Sequence, residues 1–91
     1  MTYWYAIVAG EFKPWVKASR QAVDFVSNLE GYVGVHPTYH PDKGHVTLWF
    51  FDNENNAKRA RNSMIAQGII VGDKISKWRV GADGVPEVVK P

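Results

Sequence analysis

The stretch of the chain that most restricts its fold is residues 43–52, KGHVTLWFFD, where apolar and more polar side chains alternate. The two alternating sets are Val46, Leu48 and Phe50 on one side, and His45, Thr47 and Trp49 on the other. A period of two residues is typical of a β-strand that buries one face. We therefore expect the first set to pack against the core, and the second set to lie on the opposite face of a sheet.

The amino-acid composition excludes several classes of protein. The 91 residues are 45% hydrophobic and 13% aromatic, which supplies one core and excludes a disordered chain. The absence of cysteine excludes disulfide bonds and thiolate metal sites. The N-terminal residues lack the basic start and long apolar segment of a signal peptide or membrane span, so we predict a cytoplasmic protein. A net charge of +2 tolerates nucleic acid or an acidic protein as partner and requires neither.

The apolar pattern predicts four strands and two helices. The strands cover residues 3–9, 32–39, 43–52 and 74–80, and the helices cover residues 15–30 and 53–67. A separate short strand at residues 69–71 is an alternative that the pattern leaves open. The residues expected to face the core are Ala18, Ala22, Phe25, Val26 and Leu29 of the first helix, and Ala57, Ala60, Met64 and Ile65 of the second. Residues 81–91 are rich in Gly and Pro, and we predict a loose C-terminal tail there after a single domain over residues 1–80.

The order of these elements, β-α-β-β-α-β, is that of the ferredoxin-like split βαβ unit. We therefore predict an α+β fold, a ferredoxin-like sandwich of a four-stranded antiparallel sheet with two helices on one face. Right-handed crossovers place both helices on the same side, so the other face of the sheet is expected to be open.

The open face is the predicted binding surface. With Trp78 and Val80 taken as inward, the last strand presents its alternate residues there, and the first strand is expected to add tyrosines. The predicted binding residues are Tyr3, Tyr5, Lys43, His45, Thr47, Trp49, Lys77 and Arg79. Rings interleaved with cations can stack bases while the cations contact phosphates.

Residues 43–50, KGHVTLWF, resemble the signature octapeptide of the RNA-recognition motif family, in which a basic residue and Gly precede alternating aromatic and small or aliphatic positions. The match is at Lys43, Gly44, Leu48 and Phe50, and loosely at His45. The segments NENNAKRARNSM and GDKISKWRV are also similar to the family's second helix and fourth strand.

The resemblance implies a ferredoxin-like fold that binds single-stranded RNA or DNA on its sheet. Carried over residue by residue, it implies that His45 and Tyr5 stack on bases and that Lys43 contacts a phosphate. Thr47 stands where the family has its second stacking aromatic residue, and YWYAIVAG does not reproduce the family's usual polar end of the first strand.

The exposed rings of the predicted open face also have another interpretation. Exposed rings on an open sheet also suit a homodimer, or a protein partner that covers them.

His36, His40 and His45 cluster around the predicted hairpin but have no compact ligand spacing, so this pattern favours surface histidines over a metal site. No nucleophile motif or phosphate-binding glycine loop is present, and a dimeric αβ-barrel-type monooxygenase is kept as a minor alternative.

From the sequence we thus predict a small non-enzymatic binding module without a cofactor. It is expected to act as a protein-binding regulator or inhibitor of bacterial or phage type, through the open sheet and the hairpin at residues 39–43. The alternative is a single-stranded RNA- or DNA-binding domain, which requires rings and cations to act together and predicts a steep dependence on salt.

Overall fold

The computed structural model of the chain describes residues 2–9, 15–40, 44–69 and 71–89, with side chains at all of these except 15–20, 38–40, 44, 45 and 73. The elements in chain order are β1 (Thr2–Ala9), α1 (Trp15–Val26), β2 (Tyr32–His40), β3 (Gly44–Phe51), α2 (Glu54–Ala66), β4 (Val71–Val80) and β5 (Pro86–Val88). The strands and helices predicted from periodicity are present, with ends shifted by a few residues. The predicted Pro14 start of α1 lies outside the described residues.

The strands form one antiparallel sheet in the order β2-β3-β1-β4-β5. The register between β1 and β4 shifts between Ile7 and Ala9, so that Ile7 pairs with Ile75 while Ala9 pairs with Val71. Such an irregularity bends the strand and increases its twist. When the two parts of β4 are counted separately, the sheet has six strands, and it curls into a half-barrel.

The predicted fold class, a four-stranded ferredoxin-like sandwich, is wrong. The domain is α+β with two helices, but its curled sheet continues beyond four strands. The additional strand comes from the predicted tail, because its turn residues fold back instead of leaving the sheet. Gly84 has a φ of 78° and donates its N–H to the carbonyl oxygen of Gly81 (3.0 Å), and Val85 N–H donates to Asp83 Oδ1 (3.0 Å). This turn places Pro86–Val88 beside β4.

Helix α1 ends at Val26, four residues before the predicted end. Its last turn is interrupted by side-chain competition for the backbone, because Asn28 Nδ2 donates to the carbonyl oxygen of Asp24 at 2.6 Å. Asparagine side chains commonly satisfy backbone groups in this way outside regular helix. The residues that follow form turns leading to β2.

Helix α2 has a defined signal at each end. Asn53 is its N-cap, and its side-chain oxygen accepts the N–H of Asn56 at 2.8 Å. At the other end Gly68 has a φ of 80°, Gly68 N–H donates to Ile65 O, and Ile69 N–H donates to Met64 O. This pair of bonds is the Schellman motif, which satisfies the last carbonyl groups of a helix.

A polar junction joins the start of β2, the end of β3 and the first turn of α2. Asp52 N–H donates to Gly31 O (2.9 Å), and the buried Asn56 donates from Nδ2 to Asp52 Oδ1 (2.9 Å). Arg59 in turn donates to Asn56 Oδ1 at 3.0 Å. Gly31 has a φ of 85°, and a Cβ there would lie 2.5 Å from both Asn56 Nδ2 and Asp52 Oδ1. Glycine is therefore required for conformation and for space.

Candidate binding face of the sheet

Both helices pack on one face of the sheet, which we call the helix-side face. The buried residues of this core are Ile7, Ala9, Ala22, Val26, Trp49, Phe51, Ala57, Ala60 and Met64. Tyr32 borders it, with its ring centroid 6.5 Å from that of Trp49 and 6.2 Å from that of Phe51. Burial of these side chains removes apolar surface from water and thereby stabilises the packing of the helices on the sheet.

A second apolar cluster lies on the opposite face, which we call the open face. Its members are Trp4, Ala6, Val8, Leu48, Phe50 and Trp78, and none of them belongs to a helix. The ring of Phe50 lies between two tryptophans, with its centroid 5.7 Å from that of Trp4 and 5.5 Å from that of Trp78. Trp4 and Trp78 are also direct cross-strand partners. Tilted and edge-on rings at these distances stabilise one another beyond area burial.

The cluster on the open face is only partly shielded from solvent. Phe50 is 2% exposed and Leu48 is 7% exposed, whereas Trp4, Val8 and Trp78 are only partly buried. Trp78 Nε1 donates to Ser76 Oγ at 2.9 Å, which fixes the orientation of its indole ring. The partly buried rings are therefore held in place and still offer apolar surface.

The predicted phase of β3 is wrong. Leu48 and Phe50 lie on the open face, and Trp49, which was predicted there, is 1% exposed in the helix-side core. Trp78 and Val80, predicted to be inward, also lie on the open face, because they pair with Trp4 and Thr2. The alternation defined two rows correctly, but both rows contain large apolar residues, so periodicity alone did not decide which row the helices cover.

Four of the predicted binding residues are brought together, but on the helix-side face. Tyr3 pairs with Arg79 and Tyr5 pairs with Lys77 across β1 and β4, and Tyr5 packs against the helix-side core. Lys77 Nζ lies 4.2 Å from the centroid of the Tyr3 ring, a cation–π contact. Arg79 forms an exposed ion pair with Glu87 at 3.8 Å. These residues form a mixed aromatic and basic patch on the face opposite Trp4 and Trp78.

The remaining predicted binding residues are at or near the β2–β3 hairpin. Thr47 is partly buried and pairs with Ala9, which puts it on the helix-side face with Trp49. Lys43 lies outside the described residues, as do residues 41 and 42 of the predicted hairpin. The side chain of His45 also lies outside the described part of the structure. The backbone of His45 pairs with Tyr39.

Formal charges are distributed unequally between the two faces. In the register of β1, β4 and β5, Lys77, Arg79 and Glu87 all fall on the helix-side face. The open-face positions of the same strands, as far as the structure describes them, are Thr2, Trp4, Ala6, Val8, Ser76, Trp78, Val80, Pro86 and Val88, without a charged residue. Lys74 is exposed and lies two residues before Ser76 on β4, so one cation borders this set. The open face is therefore apolar and close to neutral.

Sequence reasoning missed Phe50 and Trp78 as members of the exposed cluster and left open which face of the sheet Trp4 occupies. The signal was present in the first strand, whose two rows are both apolar, since such a strand needs cover on both faces or exposes one. A large aromatic residue at each of three neighbouring positions became visible only with the register of β3, β1 and β4.

Burial on the helix-side face affects two polar groups, the hydroxyl of Tyr32 and the indole N–H of Trp49. Desolvation raises the pKa of the Tyr32 hydroxyl above its ordinary value of 10.0. The indole Nε1 of Trp49 is buried and has no hydrogen-bond acceptor in the described part of the chain. Neither group lies on the open face.

The three histidines occupy separate register positions of β2 and β3. His36 pairs with Leu48, His40 pairs with Gly44, and His45 pairs with Tyr39. Among the described residues, no group of three or more His, Asp or Glu side chains is placed to hold a metal ion. No helix in that part of the chain is long and apolar enough to cross a membrane. In comparisons with known proteins, the chain matches no family model and no curated protein sequence.

Proposed function

We propose that this chain is a small non-enzymatic binding module that recognises another protein through the open face of its sheet. The observation that carries the proposal is the cluster of Trp4, Phe50 and Trp78, which lies outside the helix-packed core and leaves two tryptophans partly accessible. Tryptophan is among the residues most enriched at the energetic centres of protein interfaces. We place this activity in the cytoplasm, where the module acts as a regulator or inhibitor by occupying its partner's surface.

The charge distribution favours protein over nucleic acid as the ligand of this face. Binding to a phosphate backbone requires several cations beside the stacking rings. Lys77 and Arg79 are on the other side of the sheet from Trp4 and Trp78. An apolar face with ordered aromatic anchors is the arrangement expected at the centre of a protein interface.

The proposal is tested by selecting phage-displayed random peptides on the purified protein and measuring the affinity of synthetic copies by titration calorimetry. We expect Trp78→Ala to weaken binding at least tenfold, and Trp78→Phe, which keeps an aromatic ring, to recover much of the affinity. Ile65→Ala, on the exposed side of α2, is the control and should bind like the wild type. Far-ultraviolet circular dichroism checks that each variant is folded. Peptides that bind Trp78→Ala and wild type equally would contradict the proposal.

Single-stranded nucleic acid remains the alternative ligand, and one observation favours it. Tyr3, Lys77 and Arg79 are adjacent on the helix-side face, as a base-stacking and phosphate-binding patch requires. However, Lys77 already lies over the Tyr3 ring, and Arg79 is paired with Glu87. Titration with a mixed single-stranded oligonucleotide at two salt concentrations decides between protein and nucleic acid as the ligand. Binding that weakens steeply with salt and is lost in Lys77→Ala would make nucleic acid the leading function.

A further inference from the structure

The structure also points to the occupant of the open face, and we infer that it is a second copy of this chain. The inference rests on the proposed function, since it names the protein that covers the same face when no other partner is bound. Two copies would stack face to face about a two-fold axis, each covering the partly buried tryptophans of the other.

Charge is the first reason for choosing a second copy. In a two-fold symmetric contact the same patch meets itself, so any charged residue near the axis meets its own copy. The open-face positions around Trp4 and Trp78, which are Thr2, Ala6, Ser76, Val80, Pro86 and Val88, carry no Lys, Arg, Asp or Glu, and the exposed Lys74 lies four residues from Trp78 along β4. The charged strand residues Lys77, Arg79 and Glu87 point to the helix-side face, away from such a contact. The face therefore meets a copy of itself without like-charge repulsion.

The arrangement of the anchors is the second reason. Trp4 and Trp78 are paired on adjacent strands, β1 and β4, which are interior strands of the sheet. A two-fold axis passing between them brings Trp4 of one copy onto Trp78 of the other, and the reverse contact follows by symmetry. Val88 lies beside Trp78 on β5, is 46% exposed, and extends the apolar patch to the edge.

The available area sets the expected strength. Four long strands about 4.8 Å apart and about eight residues in length give a face of about 19 by 26 Å, or roughly 500 Å² in projection. Because the sheet curls, two such faces bury at most roughly 1,000 Å² in total, near the lower limit for a specific interface. We therefore expect a reversible dimer whose population rises with protein concentration.

The test compares two variants that add the same charge at sites of similar exposure. Val88→Glu places a carboxylate at the edge of the open face, where the residue is 46% exposed, and Ile65→Glu places one on α2, where the residue is 48% exposed. Sedimentation velocity over a hundredfold range of concentration gives the mass of each protein. We expect the wild type and Ile65→Glu to move from monomer to dimer over this range, and Val88→Glu to need at least tenfold more protein to do so. Both sites are exposed, so both variants should remain folded, which circular dichroism verifies.

Each other outcome overturns the inference. A wild type that stays monomeric throughout, or a dimer that Val88→Glu leaves unchanged or that Ile65→Glu weakens equally, excludes self-association through the open face. The peptide titration separates this failure from that of the proposed function. A monomer that binds selected peptides through Trp78 keeps the binding module and removes only the second copy as its partner, whereas a monomer that binds none through Trp78 removes both.

Discussion

Trp49 and Phe50 are consecutive in the chain and belong to different apolar clusters. The indole of Trp49 is buried beneath the helices, and the ring of Phe50 lies on the other face between Trp4 and Trp78. The two residues therefore have different roles in β3. Trp49 packs against the helices, and Phe50 packs against the tryptophans of the candidate binding surface.

Truncating Trp49 should cost more stability than truncating a partly exposed residue of the open face such as Val88. We expect Trp49→Ala to lower the free energy of unfolding by about 3–5 kcal/mol, because it empties a large volume in a core where the residue is 1% exposed. Urea denaturation followed by circular dichroism measures the loss. A loss below about 1 kcal/mol would show that the helices do not pack on this side chain.

Replacing two of the glycines that have positive φ should separate backbone strain from steric overlap. Gly68→Ala has open space around its added Cβ, so we expect only the left-handed backbone penalty of about 1–2 kcal/mol. Gly31→Ala has the same penalty and in addition meets Asn56 and Asp52, which should add about 1–3 kcal/mol. The difference in urea midpoints measures the overlap, and equal losses would mean that the polar junction moves aside freely.

Removing the cap of α2 should have a smaller effect. Asn53→Ala deletes the side-chain acceptor for the Asn56 N–H and is expected to cost about 1 kcal/mol. Asn55→Ala is the matched control, since Asn55 is exposed within the first turn and the change should be nearly neutral. Thermal unfolding of the two variants side by side measures the difference. If both lose stability equally, the cap does not hold the helix.

Burial of Tyr32 should make stability depend on pH in the alkaline range. Its pKa is raised in the folded state, so the stabilisation associated with its neutral form is fully present below the unfolded pKa of about 10 and is lost as pH rises through the folded value. We expect the wild type to lose stability more steeply than Tyr32→Phe between about pH 9 and about pH 11. The difference between the two proteins isolates Tyr32 from the other tyrosines and the lysines, and parallel curves would contradict its burial.

The sequence by itself determined four of the five strands, both helices and the two ends of α2. Residues 43–52 alternate as β3 does, and Asn53 and Gly68 bound α2 as capping preferences require. These features depend on neighbours within a few positions along the chain, so they can be read locally.

Only the tertiary structure decided which row of each strand faces the helices. In β3, both rows of alternate residues contain large apolar side chains, one at positions 46, 48 and 50 and the other at positions 47, 49 and 51. Which row faces the helices depends on how Trp49 and Phe51 fit beneath α1 and α2. It also decided that residues 86–88 join β4, since that pairing follows from the turn between Gly81 and Val85. For the same reason, the row of β3 that contains Trp49 was predicted on the open face, whereas it lies beneath the helices. Period two states that neighbouring residues point to opposite faces, but it carries no information about which face another element will cover.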